Sequence, residues 1–220
     1  MDSFLIGAAT SNSGKTTFTM GLLRALADRK LKVQPYKCGP DYIDTIFHHI
    51  ASGRESINLD SFMSSESHLL QLYHDYGNGA DVRVLEGVMG LFDGYDRSKG
   101  SSAAIAKALD IPVILVVNAK STAYSVAPLI YGFKHFDESI KCAGVVFNMV
   151  ASESHYAFLR AACEDAGVEC LGYMARNAEL NIPGRHLGLT ISERENMERL
   201  VSLAAHEVEE HVDIDKILSL

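Results

Sequence analysis

The sequence has few positive charges. It carries 20 Lys and Arg against 28 Asp and Glu in 220 residues, a formal net charge of −8. Proteins that bind nucleic acids or anionic membranes concentrate Lys and Arg on one surface. The composition therefore excludes broad electrostatic binding to nucleic acid or membrane, and an anionic small molecule would have to be bound by individual lysines.

The sequence also lacks the signals of secretion, membrane insertion and zinc binding. It has four cysteines, with no Cys-x-x-Cys pair and no histidines at zinc-finger spacing. No apolar run approaches the ~18 residues of a membrane span, and Met1-Asp2-Ser3 lacks the basic start of a signal peptide. We therefore expect a cytoplasmic protein with free thiols, folded as a single domain over residues 1–220.

The most informative stretch is residues 9–17, Ala-Thr-Ser-Asn-Ser-Gly-Lys-Thr-Thr. It follows an apolar run and precedes a helical pattern, which together predict the strand, loop and helix of a phosphate-binding loop. Ala9 stands where the motif usually has glycine, and alanine is the smallest replacement. Lys15 would reach the outer phosphates, and the Thr16 hydroxyl would ligate Mg²⁺. The predicted ATP-binding residues of the loop are Asn12, Ser13, Gly14, Lys15, Thr16 and Thr17.

Strand and helix patterns alternate along the chain. The strand patterns cover residues 4–8, 31–36, 82–86, 113–117, 143–147 and 169–173. The helical patterns cover residues 15–29, 44–52, 65–76, 101–109, 122–133, 152–166 and 192–210. Residues 58–61 are predicted to form a turn. This alternation predicts an α/β fold in which a parallel sheet is flanked by helices, as in P-loop NTPases.

A polar segment follows the second predicted strand. It runs from Lys37 to Asp44, contains a Gly-Pro break, and carries a second acid at Asp41. Loops at the carboxyl ends of neighbouring strands face the ligand crevice of an open α/β sheet. We expect this segment to form the second wall of the site.

Two further acids follow the third predicted strand. Glu86 ends that strand, where phosphate-loop ATPases place a carboxylate that holds Mg²⁺ directly or through water. The following loop, residues 87–94, mixes glycines with Val, Met, Leu and Phe before Asp93. A surface loop has little reason to be so apolar, so we expect it to pack under the site and to aim Asp93 inward.

The nucleotide base is predicted to be adenine. Guanine-specific sites use Asn-Lys-x-Asp after a late strand, and neither Asn118-Ala119-Lys120-Ser121 nor the segment after Asn148 supplies that acid. The amide of Asn148 could contact the adenine edge, since it both donates and accepts. Asn148 could equally be a turn residue after its strand.

Thr10 bears on whether the protein is an enzyme or a switch. Partitioning and motor ATPases of this topology carry an additional lysine at this position of the loop. Its absence favours an enzyme that transfers the γ-phosphate to a bound small molecule. A regulatory ATPase that binds a partner protein in one nucleotide state stays an alternative.

Four blocks of the sequence closely resemble the synthetase domain of the cobyrinic acid a,c-diamide synthase family, which is related to dethiobiotin synthetase. The resemblance extends from about residue 4 to residue 189 and includes a late Gly-Arg-His-Leu-Gly-Leu block at residues 184–189. The blocks at residues 35–44 and 86–94 are far more specific than a phosphate loop alone. A dethiobiotin-like carboxylation ligase would share the fold, but it would not explain the loop at residues 87–94. The four blocks are residues 10–17, 35–44, 58–60 and 86–94.

The resemblance implies ATP- and Mg²⁺-dependent amidation of the a and c acetate carboxylates of cobyrinic acid through an acyl-phosphate, in cobalamin biosynthesis. It implies catalytic roles for Lys15, Lys37, Asp44 and Asp93. It implies metal binding by Thr16, Asp44 and Glu86. It implies substrate binding by Lys37, Asp41, Tyr42 and Ile43, with Tyr42 and Ile43 against the macrocycle. Hydrogenobyrinate and nickel sirohydrochlorin stay open as alternative substrates.

The resemblance also implies a nitrogen source. Members of the family usually carry a C-terminal glutamine amidotransferase domain, and this sequence has no Gly-x-Cys-x-Gly elbow for its cysteine nucleophile. We therefore expect ammonia to come from a glutaminase domain or from a separate subunit, and the chain alone to use free ammonia. A homodimer also stays open.

Overall fold

The computed structural model describes residues 2–180 and 191–220, and the structural statements below concern those residues. The strands are β1 (Asp2–Ala8), β2 (Val33–Cys38), β3 (Ile57–Leu59), β4 (Val82–Glu86), β5 (Val113–Asn118), β6 (Cys142–Val150) and β7 (Cys170–Ala175). They form one sheet in the order β3-β2-β4-β1-β5-β6-β7. Every pairing between neighbouring strands is parallel, which confirms the predicted fold.

Helices cover both faces of this sheet. They are α1 (Lys15–Asp28), α2 (Asp44–Ser52), α3 (Glu66–Gly77), α4 (Ser102–Leu109), α5 (Ala127–His135), α6 (Glu153–Ala166), α7 (Ile191–His211) and α8 (Ile214–Leu218). Residues from α3, α4, α5 and α6 share one apolar core with one face of the sheet. Residues from α1, α2, α7 and α8 share the other core. No described helix is both long and apolar enough to cross a membrane.

The alternation of side chains along the strands explains these two cores. Leu5 and Leu115 belong to one core, while Ile6 and Ile114 belong to the other. β5 lies between β1 and β6, and the apolar side chains of its first five residues are buried, as predicted for a strand covered on both faces. Burial of each such side chain contributes about 1.5–3 kcal/mol. The two cores therefore hold the sheet edge where the strands end in a fixed geometry.

The structure differs from the sequence-based prediction at three elements. β2 continues to Cys38, so Lys37 lies within a strand rather than in a turn, because β2 pairs on both sides there. The predicted turn at residues 58–61 is wrong at its start, because Ile57–Leu59 forms the short edge strand β3. Three residues are too few for an alternating pattern to stand out. α8 was not predicted, and the block at residues 184–189 lies outside the described residues.

Candidate nucleotide and metal site

Three adjacent strands bring the predicted site residues together. β4 lies between β2 and β1, and all three strands end at the same edge of the sheet. Glu86, the last residue of β4, is the register partner of Lys37 on β2 and of Ile6 on β1. The phosphate loop follows β1 directly. This register places Lys37 and Glu86 side by side below the phosphate loop.

The phosphate loop has the close packing that its glycine predicts. Gly14 has φ 95°, in the left-handed region that favours glycine. A Cβ at this position would lie 1.9 Å from Asn148 Nδ2, so a larger residue would displace the Asn148 amide. That amide donates to the Ser13 carbonyl oxygen at 3.0 Å. Asn148, which lies within β6, is therefore part of the support of the loop.

The N-terminus of α1 is open to an anion. Its N-cap residue, Gly14, provides no side-chain cap. By contrast, Ser65, Ser101 and Ser152 each accept a hydrogen bond from a backbone N–H in the first turn of their helices. The first N–H groups of a helix have no partner within it, and they attract anions together with the helix dipole. The loop therefore fits a phosphate group.

The Lys15 side chain is buried beside this N-terminus. Its ammonium donates to the Met89 carbonyl oxygen at 2.5 Å. Burial lowers the pKa of Lys15, and the carboxylate of Glu86 opposes that change. Met89 has φ 50°, a strained conformation for a residue with a side chain. The loop after β4 therefore bends sharply where it meets the predicted phosphate-binding lysine.

The buried side chains of Lys37, Asp44 and Glu86 form one polar cluster with the half-buried Thr16. The Thr16 hydroxyl donates to Glu86 Oε1 at 2.7 Å and lies 3.3 Å from Asp44 Oδ2. The Lys37 ammonium donates to Asp44 Oδ2 at 2.7 Å, to Glu86 Oε1 at 2.9 Å and to the Gly87 carbonyl oxygen at 3.2 Å. Lys37 is 2% exposed. The sequence predicted these four residues as site residues, and the structure adds that Lys37 is held inside the cluster.

The opposite charges of Lys37 and Glu86 stabilise each other. Burial favours the neutral form of Glu86, but Lys37, His48 and Thr16 outweigh it and hold the pKa of this carboxyl well below its usual range. Burial also disfavours the Lys37 ammonium, but Glu86 and Asp44 raise its pKa above the ordinary value. Burial and the nearby Glu86 charge raise the pKa of Asp44. The cluster therefore holds a charged Lys37 and Glu86 in a dry environment.

His48 belongs to the cluster and was missed by sequence reasoning. Its side chain is fully buried, and its Nε2 lies 2.6 Å from Glu86 Oε2. Its Nδ1 lies 2.9 Å from the Ser56 hydroxyl. Both ring nitrogens are therefore engaged. The signal in the sequence is its spacing from Asp44, because residues four apart share one face of a helix.

The segment from Asp41 to Asp44 forms the second wall, but its residues differ in exposure. Asp41 Oδ1 accepts from the backbone N–H groups of Ile43 and Asp44 at 2.9 and 3.0 Å. The Asn58 side chain donates to the Asp41 carbonyl oxygen at 3.0 Å, which joins this loop to β3. Tyr42 is 74% exposed. The wall therefore has a rigid turn and a free aromatic ring.

The loop after β4 packs as predicted, except at Asp93. Leu91 is buried, and its N–H donates to the Ala8 carbonyl oxygen at 2.8 Å. Asp93 is exposed, and its Oδ2 accepts from the Gly90 N–H at 2.8 Å. The expectation that Asp93 points inward is therefore wrong, because its carboxylate closes the tight turn of its own loop. Its charge nevertheless acts on Lys15.

Three exposed apolar side chains near this wall were not predicted. Phe62 and Met63 follow β3 and are 73% and 74% exposed, and Tyr95 follows Asp93 and is 62% exposed. The rings of Phe62 and Tyr95 meet edge to face with centroids 5.2 Å apart. The Asp60 carboxylate accepts from the Phe62 N–H at 2.8 Å. This surface joins the loops after β3 and β4.

The donor set of the cluster fits a magnesium ion. Mg²⁺ prefers oxygen ligands and takes one or two carboxylates together with phosphate oxygens and water. Thr16, Asp44 and Glu86 present a hydroxyl and two carboxylates that already converge. Among the described residues, no group of three or more His, Cys, Asp or Glu side chains is arranged to hold a metal alone. An ion here would therefore depend on the nucleotide for part of its ligands.

The sequence is similar to a known nucleotide-binding family. Residues 4–189 match the family described as the CobQ/CobB/MinD/ParA nucleotide binding domain. Among solved structures, chloroplast FtsY from Physcomitrella patens is similar with a TM-score of 0.53. The match covers 91% of this chain and 65% of that chain at 13% sequence identity, so it concerns the fold alone.

Whole-chain similarity extends to enzymes of known name. A cobyrinate a,c-diamide synthase of Listeria monocytogenes serotype 4b is 45% identical over 225 residues, covering 100% of this chain and 50% of that protein. One from Archaeoglobus fulgidus is 46% identical, with 98% and 48% covered. A hydrogenobyrinate a,c-diamide synthase of Brucella anthropi is 42% identical, with 100% and 51% covered. The chain spans about half the length of the curated relatives it matches.

Proposed function

The chain belongs to the CobQ/CobB/MinD/ParA nucleotide binding domain family, and from this premise we propose that it is the ATP-dependent synthetase part of a cobyrinate a,c-diamide synthase. It would amidate the a and c acetate carboxylates of cobyrinic acid, in cobalamin biosynthesis. The observation that carries the proposal is the convergence of Thr16, Lys37, Asp44 and Glu86 beside an uncapped phosphate loop. Similarity along the whole chain to proteins named as synthases favours a ligase over a regulatory switch.

The phosphate loop would bind the triphosphate of ATP. The backbone N–H groups at the start of α1 would contact phosphate oxygens, and Lys15 would leave the Met89 carbonyl oxygen for the outer phosphates. Mg²⁺, held by Thr16, Asp44 and Glu86, would supply charge neutralisation at the phosphates. Asn12, Ser13, Gly14 and Thr17 complete the proposed ATP contacts. Neutralisation of phosphoryl charge is the main task of a phosphoryl-transfer site.

The reaction would proceed in two steps. In the first step, an acetate oxygen of the substrate bonds to the γ-phosphorus, the bond from that phosphorus to the β–γ bridging oxygen breaks, and ADP leaves. In the second step, ammonia attacks the acyl carbon, phosphate leaves, and the nitrogen loses a proton. Lys37 would balance the negative charge of the acid group and the phosphoryl group. Asp93 is exposed and its charge acts on Lys15, so its proposed catalytic role would be at the open end of the site.

The exposed aromatic side chains fit the body of a large ring compound. Tyr42, with Ile43 beside it, is on the second wall, and Phe62 and Tyr95 are on the adjoining loops. Tyr95 is two residues after Asp93, a distance of at most about 7 Å along the chain. A ring whose acid group reaches the phosphate loop would therefore lie against these side chains. Asp41 would hold the turn that presents Tyr42.

The nitrogen source and the assembly are also part of the proposal. Ammonia would come from a glutaminase on another domain or another subunit, and two copies of the chain could form a homodimer. Free thiols at all four cysteines suit a cytoplasmic enzyme. The relatives are named for two substrates, so hydrogenobyrinic acid is the main alternative, followed by nickel sirohydrochlorin.

The test is direct amidation. The purified chain is incubated with ATP, MgCl₂, ammonium chloride and each tetrapyrrole acid in turn, and mass spectrometry follows the conversion of carboxyl groups to amides. We expect two amidations of the preferred acid and ADP in equal number. ATP hydrolysis without any amide product from any of the acids would contradict the proposal.

A substitution at Tyr42 tests the ring contact. In Tyr42→Ala we expect a changed ratio of the two monoamides, because the ring would lose one contact that orients the acetates. NMR or chromatography of the monoamide fraction measures this ratio. Tyr131→Ala is the matched control, since Tyr131 is a 55% exposed tyrosine on α5. An unchanged ratio would mean that Tyr42 does not select the carboxylate.

A further inference from the structure

The Lys37 ammonium donates hydrogen bonds to the same carboxylate oxygen atoms that would bind a metal. Its Nζ contacts Asp44 Oδ2 and Glu86 Oε1 at 2.7 and 2.9 Å. The Thr16 hydroxyl is also directed to these two oxygens. The two carboxylate oxygens that converge on Thr16 therefore already have a cation.

We propose that Lys37 is the resident cation of this carboxylate pair in the nucleotide-free protein, and that a divalent ion entering with the nucleotide takes its place and releases the ammonium toward the substrate. The exchange itself depends only on the geometry of the pair. The last step, release toward an anionic substrate, rests on the proposed function.

Burial makes a cation at this position necessary. Glu86 is fully buried and Asp44 is 6% exposed, and buried carboxylates are costly unless they are paired. Lys15, the nearest other buried ammonium, donates to the Met89 carbonyl oxygen instead. Lys37 is therefore the group that neutralises the pair while no metal is bound.

Two cations would compete for this pair. A magnesium ion would lie about 2.0–2.1 Å from its oxygen ligands. An ammonium at hydrogen-bond distance from the same two oxygens would then be only a few ångströms from a doubly charged ion, and the two would repel each other. Exchange of one cation for the other keeps the carboxylates neutralised throughout.

The side chain of Lys37 has a direction in which to move. Its third acceptor is the Gly87 carbonyl oxygen at 3.2 Å, at the start of the loop that leads to Met89 and Asp93. Lysine has a flexible four-carbon stem that carries a compact charge. Entry of the metal would thus deliver a positive charge to the open end of the site, which favours binding of the nucleotide before the acidic substrate.

Manganese alone is the probe for the exchange. Mn²⁺ affinity is measured by electron paramagnetic resonance without nucleotide and without tetrapyrrole, in the wild type and in Lys37→Met. We expect roughly tenfold or tighter Mn²⁺ binding in Lys37→Met, a difference of about 1.4 kcal/mol, because the carboxylates lose their internal cation. Lys37→Arg should bind Mn²⁺ as weakly as the wild type. Equal affinity in the wild type and Lys37→Met would overturn the proposal.

Thermal unfolding gives a second readout. Lys37→Met should unfold at a lower temperature than the wild type in EDTA, and Mn²⁺ should restore much of that loss, since a ligand stabilises the folded state that binds it. Lys107→Met removes the exposed ion pair with Asp137 and should show no such rescue. Adding Glu86→Gln to Lys37→Met should abolish the tight Mn²⁺ site.

The Mn²⁺ and amidation experiments test the cation exchange and the proposed function separately. If Lys37→Met is recovered unfolded, refolding in Mn²⁺ should return it to the native state, and failure to do so would count against the exchange. Cation exchange without amidation would leave this inference standing and remove the proposed function. Amidation with unchanged Mn²⁺ affinity in Lys37→Met would do the reverse.

Discussion

The two halves of the chain bury different kinds of side chain. The first half comprises residues 2–102, and the second half comprises residues 103–180 and 191–220. Every buried polar or charged side chain of the described residues lies in the first half. In the second half the buried side chains of the described residues are apolar, apart from the thiol of Cys163 and the hydroxyl of Tyr173. The polar set consists of Ser13, Lys15, Thr19, Gln34, Lys37, Asp44, His48, Glu86, Ser101 and Ser102.

This difference separates function from support within one continuous sheet. The charged side chains near the ends of β2 and β4, Lys37 and Glu86, are held by each other. β5 instead ends at the neutral amide of Asn118, and the neutral amide of Asn148 lies near the end of β6. Buried ion pairs contribute little net stability, because desolvation offsets their attraction. Apolar burial is the dominant stabilising contribution. The second half should therefore supply stability, and the first half should supply chemistry at some cost in stability.

The largest expected effect comes from the first half. Lys15→Ala should lower the rate of amidation by roughly a thousandfold or more, because it removes the charge proposed to stabilise the transferring phosphoryl group. Stability should change little, since burial already disfavours the charged form of Lys15 and lowers its pKa. Single-turnover assays and thermal unfolding measure the two quantities. Lys107→Ala, an exposed lysine in the second half, is the control. Intact turnover in Lys15→Ala would remove the phosphate assignment.

The second half should respond in the opposite way. Leu115 is fully buried in β5. Leu115→Ala should lower the free energy of unfolding by about 2–5 kcal/mol through loss of apolar contact and creation of a cavity. The rate of amidation per folded molecule should stay close to that of the wild type. Urea denaturation and activity at low temperature measure the two effects. A large loss of rate in the folded variant would break the distinction between the halves.

An intermediate effect is expected at His48, whose ring nitrogens contact Glu86 and Ser56. Loss of such an outer partner typically costs about 10–100-fold in metal affinity or activity. His48→Ala should therefore raise the Mg²⁺ concentration needed for half-maximal rate, and His48→Gln should recover part of the loss by donating to Glu86. Mg²⁺ titrations at saturating ATP measure this. A lower rate at an unchanged Mg²⁺ requirement in both variants would mean that His48 has only a structural role.

The sequence predicted the parts of the molecule that depend on local patterns. The phosphate loop, the parallel sheet and the acid at the end of β4 each follow from neighbouring residues, and the structure brings Thr16, Asp44 and Glu86 together. The interior position of Lys37 could not be predicted, because it depends on the pairing of β2 with both β3 and β4. The exposure of Asp93 depends on a turn closed by its own carboxylate. The contact between His48 and Glu86 joins two elements far apart in the sequence, and only the packing of α2 creates it.

The smallest effect is expected at Asn148, where the two halves of the chain meet. Its amide donates to the Ser13 carbonyl oxygen and its Oδ1 accepts from the Met149 N–H, so both polar atoms are already engaged by the protein. Asn148→Ala should raise the KM for ATP by about fivefold, since a hydrogen bond is worth about 1 kcal/mol, and kcat should be nearly unchanged.

A comparison of ATP with GTP separates the two roles predicted for Asn148. Support of the phosphate loop would weaken ATP and GTP equally, whereas a contact with adenine would be lost for ATP alone. Asn118→Ala, at the end of β5, is the matched control because the Asn118 Oδ1 accepts from the N–H of Lys120, which lies outside the phosphate loop. If Asn148→Ala weakens ATP and GTP binding equally and Asn118→Ala weakens neither, the second half contributes to the site through the hydrogen bond from Asn148 to Ser13.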